Sequence, residues 1–199
     1  MLRTLAVIAI ACINLIPLYV YGYATNIAFL DCACKWRKEQ IVVWIDNSQE
    51  EIYTDYTIEA LDAWHEGFPK LRYIVYTNFT QKWDIHIRII DRYLDEENAG
   101  VLAKSDILAD WSGSSINKVS ITIPVHIAER NSEEIEFNKM SDTMFYNIIL
   151  HEIGHAIGLG HANENEEGTI DPMFKYIGKN EEQRSISKLD VMTLQRLYR

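Results

Sequence analysis

One stretch, residues 151–161, constrains this chain more than any other because it reads H-E-I-G-H-A-I-G-L-G-H. His151 and His155 are four residues apart, and on a helix side chains at that spacing leave the same face. Two neutral imidazoles placed in this way can reach one zinc ion at about 2.0–2.1 Å. Gly158 can adopt a positive φ, so it can end the helix and turn the chain back, which brings His161 round as a third nitrogen ligand. Three protein ligands leave one zinc position open, as in a catalytic site.

Glu152 follows the first histidine and faces the side of the metal, which suits a general base rather than a ligand. We expect it to accept a proton from the water that attacks a peptide carbonyl and to deliver that proton to the leaving amine. The alternative is an amphipathic helix that carries histidines by chance, but the glycine and the third histidine at fixed offsets argue against it. The pattern is the metzincin signature, so the chain resembles the metzincin clan of zinc endopeptidases.

The front of the chain has a different character from the rest. In residues 1–24, Arg3 precedes an apolar run, and small residues lead to a cleavage site after Ala24. These features predict a secretory signal peptide and therefore a secreted protein. Because apolar residues continue at 27–30, an uncleaved N-terminal membrane anchor with the domain facing outside is the alternative.

The remaining residues, 25–199, have the length and composition of one globular domain, since 48% of the whole sequence is hydrophobic and 24% charged. No repeat, low-complexity tract or linker divides them. A formal net charge of −10 would repel phosphate backbones, which argues against a nucleic-acid partner. We expect a monomer whose partner is a protein or peptide substrate, with membrane contact only if the N-terminal segment stays attached.

Cysteine usage predicts little. Cys12 would leave with the signal peptide, and a bridge between Cys32 and Cys34 would span one residue and be strained. The pair could be free thiols, an intermolecular link, or the source of a thiolate that caps the zinc in a latent form. Asn78 begins an N-x-T sequon, which would accept a glycan only in an exported chain.

Hydrophobic periodicity predicts strands and helices in a definite order. The predicted strands are residues 41–45, 71–77, 84–90, a short one opening at 100–103, and 118–125. The predicted helices are residues 54–68 with a cap at Thr54-Asp55, a zinc-motif helix capped by Ser141-Asp142, and residues 191–198 with Ser187 and Asp190 as cap and box partner. The polar, acidic stretch 127–139 is interpreted as a surface connection.

This order resembles the catalytic domain of the matrixins, the matrix metalloproteinase family. Short matches support the resemblance over about residues 35–199; they are Lys35-Trp36, Ala63-Trp64, residues 100–103, and Ser187, Asp190, Gln195, Leu197 and Tyr198. The resemblance implies an α+β, zincin-like (metzincin) fold. Its sheet would be twisted, mixed and mostly parallel, with about five strands, and three main helices would accompany it.

The resemblance also assigns residues around the zinc. Met173 would lie beneath the metal as a packing residue, although it follows His161 by twelve positions, more than is usual in matrixins. Phe174 and Tyr176 would line the pocket for the side chain after the scissile bond. A second possibility for Tyr176, a metal-linked role as in astacin-like relatives, has the wrong offset. Ala162 replaces a serine that is common in matrixins.

A rim strand would complete the substrate site. Its residues would be Gly100, Val101, Leu102 and Ala103, and its open edge would hold a peptide by strand addition.

We therefore expect one catalytic Zn²⁺ and leave Ca²⁺ open, because no residues of a matrixin structural-zinc or calcium site are recognisable. His65, His86 and His126 lack ligand spacing and are interpreted as structural or surface residues. The main hypothesis is a secreted zinc endopeptidase. Two alternatives are a metzincin of another family with a narrow processing role and a secreted module that binds zinc without turnover.

Overall fold

The computed structural model describes residues 6–11, 34–94, 101–110, 114–131, 134–162, 171–174, 177–178 and 182–199. Two residues of the expected substrate site, Gly100 and Tyr176, lie outside these ranges. Among the described residues, no helix is long and apolar enough to cross a membrane.

A six-stranded sheet forms the centre of the fold. In chain order its strands are β1 (Ala6–Ala11), β2 (Gln40–Asn47), β3 (Arg72–Tyr76), β4 (Ile85–Ile90), β5 (Lys104–Asp110) and β6 (Ser115–Pro124). In space the order is β1-β5-β6-β4-β2-β3. The strands β3, β2, β4 and β6 run parallel, whereas β5 is antiparallel to β6 and β1 is antiparallel to β5. The mixed, mostly parallel sheet of the prediction is confirmed, and β1 adds a strand that was not predicted.

Three helices accompany the sheet, as expected. They are α1 (Ile52–Gly67), α2 (Asp142–Ala156) and α3 (Lys188–Leu197). The helices α1 and α2 pack against each other, and α2 also contacts β5 and β6. The predicted caps of two helices are confirmed, because the Ser141 side chain accepts from the Met144 amide at 3.2 Å and Ser187 forms a capping box with Asp190.

Two helix starts differ from the prediction. Helix α1 begins at Ile52, so the predicted cap at Thr54 is wrong. The reason is a preceding turn, in which Asn47 Nδ2 donates to Thr54 Oγ1 at 2.8 Å and to the Glu50 carbonyl at 2.9 Å. Helix α3 begins at Lys188, three residues earlier than predicted, because its capping box starts the helix directly after Ser187.

Two strand predictions also need correction. Residues 101–103 precede β5, which starts at Lys104, so the stretch expected to open the rim strand is the connection leading into it. The predicted surface connection contains an antiparallel hairpin, β7 (His126–Asn131) and β8 (Glu134–Lys139). Its acidic composition argued against strands, but Ile135 and Phe137 alternate with polar residues in the sequence of β8, a pattern that is typical of a strand.

Three aromatic side chains hold α2 in place. Trp64 Nε1 donates to the Leu150 carbonyl at 2.8 Å. Trp36 Nε1 and Tyr198 Oη donate to the carbonyls at the end of the helix, Ala156 and Ile157, each at 2.9 Å. These donors come from α1, from the chain before β2 and from the end of the chain. The helix that carries the zinc motif is therefore held from three directions.

Cys34 is buried and takes part in a disulfide bond. The interpretations of this residue as a free thiol or as a thiolate that caps zinc are therefore wrong. The sequence pattern could not show this, because disulfide formation depends on which cysteine the fold brings near. The partner cysteine lies outside the described residues.

Candidate active site

The structure brings the three predicted zinc ligands together. His151 and His155 lie one turn apart on α2 and are each 1% exposed, and His161 follows the end of the helix. One nitrogen from each of the three rings lies within 4.8 Å of the others. The Nε2 atoms of His155 and His161 are 3.2 Å apart. Two nitrogens bound to one tetrahedral zinc at about 2.0–2.1 Å would be about 3.3 Å apart, so this spacing suits the metal.

Gly158 provides the turn that returns His161 to the helix. Its φ is +101°, which an L side chain rarely adopts. The Gly158 and Leu159 amides donate to the carbonyls of His155 and Gly154, at 2.9 and 3.0 Å, and so close the last turn of α2. The prediction that Gly158 ends the helix is confirmed.

The ring nitrogens that face away from the cluster determine the tautomers. His151 Nδ1 lies 2.7 Å from the Pro172 carbonyl and His155 Nδ1 lies 2.9 Å from the Leu159 carbonyl. A carbonyl only accepts, so both Nδ1 atoms donate and both Nε2 atoms carry lone pairs. His151 Nε2 is buried and has no hydrogen-bond partner among the described residues. A buried acceptor without a partner is explained by a cation, and the three nitrogens fit Zn²⁺.

The electrostatics also favour a metal site. Burial, followed by the neighbouring His161 and Arg184, lowers the pKa of His151 to about 3, although the hydrogen bond to the Pro172 carbonyl opposes the shift. Burial, followed by His151 and His161, lowers the pKa of His155 well below the usual histidine value. Both imidazoles are therefore neutral near pH 7, the form that zinc requires.

Glu152 lies beside the triad and is 2% exposed. Ser105 on β5 donates a hydrogen bond from Oγ to Glu152 Oε2. Reasoning from the sequence missed Ser105. A signal was present, because the alternation along β5 places Ser105 on the same buried face as Ile107 and Ala109, and a buried hydroxyl requires a partner.

Met173 lies against α2, next to the predicted ligands. It is 1% exposed, and a Cβ atom built on Gly154 would overlap Met173 Sδ and lie 2.8 Å from Trp64 Cζ2. The Ala162 amide donates to the Met173 carbonyl at 2.8 Å. This bond ties the chain after His161 to residues 171–174, which we call the methionine turn. This position matches the packing role that the resemblance implies for Met173.

A second residue that the sequence did not reveal supports this turn. Arg184 is 3% exposed, and its Nη1 donates to the carbonyls of Asp171 and Phe174 at 3.3 and 3.2 Å. Its backbone amide donates to Asn147 Oδ1 on α2 at 2.8 Å. Arginine in a polar segment is usually exposed, so the sequence carried no signal for this role.

The remaining predicted site residues are placed as follows. Val101, Leu102 and Ala103 are buried and lie directly before β5. Phe174 is half-buried, and its backbone forms an isolated parallel β-bridge with that of Ala162. The outer edge of β5 is paired with β1.

The other three histidines lie outside the triad. His65 Nδ1 is 2.7 Å from the Leu71 carbonyl, His86 stacks on Trp44, and His126 lies 2.8 Å from Asp91 Oδ1. Within the described ranges, His151, His155 and His161 form the one group of three that could hold a metal ion.

Comparison with known families agrees with this geometry. The model of the family described as Matrixin matches residues 35–199, which is most of the chain. A search of curated proteins found no significant match. Matrixins are zinc metalloproteases, and the histidine triad, the glycine turn and the methionine turn lie within the matched region. The chain therefore belongs to the matrixin family and contains a matrixin-like metzincin catalytic domain.

Proposed function

We propose that this protein is an exported zinc endopeptidase that hydrolyses peptide bonds in extended protein segments. The observation that carries the proposal is the buried triad of neutral imidazoles with Glu152 beside it. Two of the three rings are oriented by backbone carbonyls, and one lone pair, on His151 Nε2, is buried without a described hydrogen-bond partner. A purely structural zinc site would use a fourth protein ligand and would not need a buried carboxylate next to it.

His151, His155 and His161 would hold the ion through their Nε2 atoms. Zinc in this position would lower the pKa of a water molecule and polarise a peptide carbonyl. Glu152 would accept the proton of the attacking water and pass it to the nitrogen of the leaving amine. The Pro172 and Leu159 carbonyls keep His151 and His155 in the tautomer that this arrangement requires.

The edge of β5 supports an extended substrate. Its partner in the structure is the chain's own β1, in an antiparallel register from Ala6 opposite Ala109 to Ala11 opposite Lys104. This edge therefore accepts an added antiparallel strand. We propose that residues 1–24 are removed as a signal peptide, and that the edge then accepts a substrate peptide by strand addition.

We further propose which residues contact the substrate. Val101, Leu102 and Ala103 lead into β5, the strand whose Ser105 contacts Glu152, and Phe174 follows Met173. Gly100 and Tyr176 are also proposed to contact the substrate, but only the family resemblance supports this, because both lie outside the described residues. Export is supported by the N-terminal sequence and by the disulfide at Cys34, a bond that oxidising compartments maintain.

The test begins with expression of the full chain in a secretory host. Intact mass of the exported protein reports whether the N-terminus is Thr25. Zinc content and cleavage of a broad peptide library are then compared for the wild type, Glu152→Gln and the control Glu66→Gln, which changes an exposed glutamate of α1. We expect one zinc in all three proteins and cleavage by the wild type and the control alone.

Two results would contradict the proposal. A wild type that binds one zinc and cleaves nothing is a zinc-binding module. Cleavage by Glu152→Gln at the wild-type rate would remove Glu152 from the mechanism.

A further inference from the structure

The strand next to the active site carries one hydroxyl on its buried face. In β5 every second side chain, Ser105, Ile107 and Ala109, is buried, with exposed fractions of 1%, 2% and 1%. The other two are apolar, as expected for the face that packs on α2. Leaving a serine hydroxyl among them without a partner would cost free energy. A serine here therefore points to a specific hydrogen bond.

That hydrogen bond goes to the proposed base. Ser105 Oγ donates to Glu152 Oε2, and both side chains are almost fully excluded from solvent. Hydrogen bonds from a hydroxyl to a carboxylate are shorter and stronger than those between neutral groups. The contact joins β5 and α2, two elements far apart in sequence.

The contact controls a degree of freedom that the helix alone leaves open. The backbone of α2 is held by Trp36, Trp64 and Tyr198. The last torsion of a glutamate side chain, however, is broad and has no strong intrinsic preference. A carboxylate that must take a proton from a water in one position needs this torsion to be restricted.

We propose that Ser105 is a positioning residue, whose hydroxyl holds Oε2 of Glu152 and so fixes the orientation of the carboxylate toward the attacking water. Ser105 acts through Glu152 and does not contact the reacting atoms. The inference rests on the proposed peptidase function, because its first test measures kcat. The second test therefore measures thermal unfolding, which does not require catalytic activity.

The kinetic test uses the exported holoenzyme and a peptide that the wild type cleaves. In Ser105→Ala we expect kcat to fall about 10- to 100-fold, the range for partners that orient a catalytic group, with KM within about twofold and one zinc per chain. Ser105→Thr keeps a hydroxyl and should restore kcat to within about threefold of the wild type. The matched control is Thr57→Val, which removes a fully buried hydroxyl that bonds to Tyr53 O at 2.7 Å, on α1. It should lower stability and leave kcat unchanged.

The second measurement is thermal unfolding of the zinc-free protein in chelator. Ser105→Ala should lower the unfolding midpoint by about 3–10 °C when Glu152 is present. The same substitution should have almost no effect in the Glu152→Ala background, because the partner is already gone. This double-mutant cycle measures the coupling between Ser105 and Glu152 whether or not the protein is a peptidase.

The outcomes separate the two proposals. An inactive wild type overturns the proposed function, and the unfolding cycle alone then judges the contact. An active wild type with unchanged kcat in Ser105→Ala overturns the positioning role. So does a folded, zinc-loaded Ser105→Thr that fails to recover kcat, or an equal loss of midpoint in both Glu152 backgrounds.

Discussion

At the scale of single residues, two glycines of the zinc motif lie where a side chain has little room. A Cβ on Gly158 would come within 2.6 Å of the Cys34 carbonyl oxygen, and φ is +101°. A Cβ on Gly154 would contact the Met173 and Trp64 side chains, but the backbone φ of Gly154 itself is one that an L residue can adopt. At Gly154 the flexible end of the methionine can move, but the Trp64 ring is held by its hydrogen bond to Leu150 and adds a cost. At Gly158 the obstacle is a backbone carbonyl, which cannot move without shifting the chain, and the positive φ adds strain.

We therefore expect Gly158→Ala to cost about 2–4 kcal/mol of unfolding free energy, from backbone strain and overpacking. Gly154→Ala should cost about 0–2 kcal/mol, since overpacking is offset by the better helix propensity of alanine. Denaturant unfolding in chelator compares the two variants with the wild type. A larger loss for Gly154→Ala than for Gly158→Ala would contradict this ordering.

Asp190 provides a pH prediction. Burial, followed by the charge of Asp171, raises its pKa to about 7. Asp190 Oδ2 accepts from the Ser187 hydroxyl at 2.8 Å, and the same hydroxyl lies 2.8 Å from Asp171 Oδ2. A carboxyl whose pKa is raised on folding stabilises the protein fully below its unfolded pKa, 3.8. That contribution is lost as the pH rises through the folded pKa.

The free energy of unfolding of the wild type relative to Asp190→Asn should therefore fall between pH 4 and about 7. The slope should be at most about 1.4 kcal/mol per pH unit. Denaturant unfolding of both zinc-free proteins across this range measures the difference. Parallel profiles would show that Asp190 does not titrate differently in the folded state.

The residues fall into two groups by how well the sequence predicted them. His151, His155, His161 and Glu152 were predicted because helical spacing and one glycine turn define their relative positions locally. The contacts of Ser105 and Arg184 depend on neighbours far along the chain, and the disulfide of Cys34 depends on a choice between cysteines that the sequence pattern does not make. Only Ser105 left a trace in the sequence, as a polar residue on an apolar face.

At the scale of elements, the methionine turn depends on Arg184. Its guanidinium group bonds to the carbonyls of Asp171 and Phe174, and the Pro172 carbonyl between them receives His151 Nδ1. Arginine offers several donors in a fixed planar fork, whereas lysine offers a compact point charge. A lysine at position 184 would not reproduce both of these hydrogen bonds in the same geometry.

For Arg184→Lys we expect a loss of about 2–4 kcal/mol in unfolding free energy and zinc binding weaker by about tenfold, because the acceptor that orients His151 shifts. Denaturant unfolding and competition with a zinc chelator measure the two effects. The control is Arg72→Lys, at an exposed residue whose ion pair with Glu39 is 3.7 Å long and should contribute little. An equal effect in the two variants would contradict the role assigned to Arg184.

The elements themselves were predicted where apolar residues alternate strictly or recur with helical spacing. β2, β4 and β6 have this alternation, with one face fully buried. The β7–β8 hairpin was missed because its acidic residues dominate the composition. The start of β5 was misplaced because Val101, Leu102 and Ala103 are buried without pairing as a strand. Apolar character predicts burial, but pairing depends on which edge the chain meets.

At the scale of the whole molecule, the order of elements was predicted from the order of patterns along the chain. The spatial order of the strands differs from the sequence order, and no local pattern encodes it. The antiparallel pairing of β1 with β5 was also not predicted, since the apolar segment around Ala6–Ala11 has the composition of a signal peptide. The segment pairs where it does because β5, whose other edge is bonded to β6, has one edge free to bond a further strand.

The zinc site joins α2 to the methionine turn. Two of the predicted ligands, His151 and His155, belong to α2. The third, His161, is followed by Ala162, whose backbone amide donates a hydrogen bond to the Met173 carbonyl in the methionine turn. A bound zinc would therefore couple the helix, the turn and, through Arg184, the segment before α3. Removal of the metal should loosen all three together.

With free zinc about 1,000-fold above its Kd, binding adds about 4 kcal/mol to the stability of the folded state. For a domain of this size, chelation should then lower the unfolding midpoint by about 8–16 °C. Glu152→Gln should show the same shift, because Glu152 is not a ligand, whereas His161→Ala should lose most of it. Scanning calorimetry with and without chelator measures the shift in each protein. A shift that survives in His161→Ala would mean that His161 is not a ligand, and a shift lost in Glu152→Gln would mean that the carboxylate itself binds the metal.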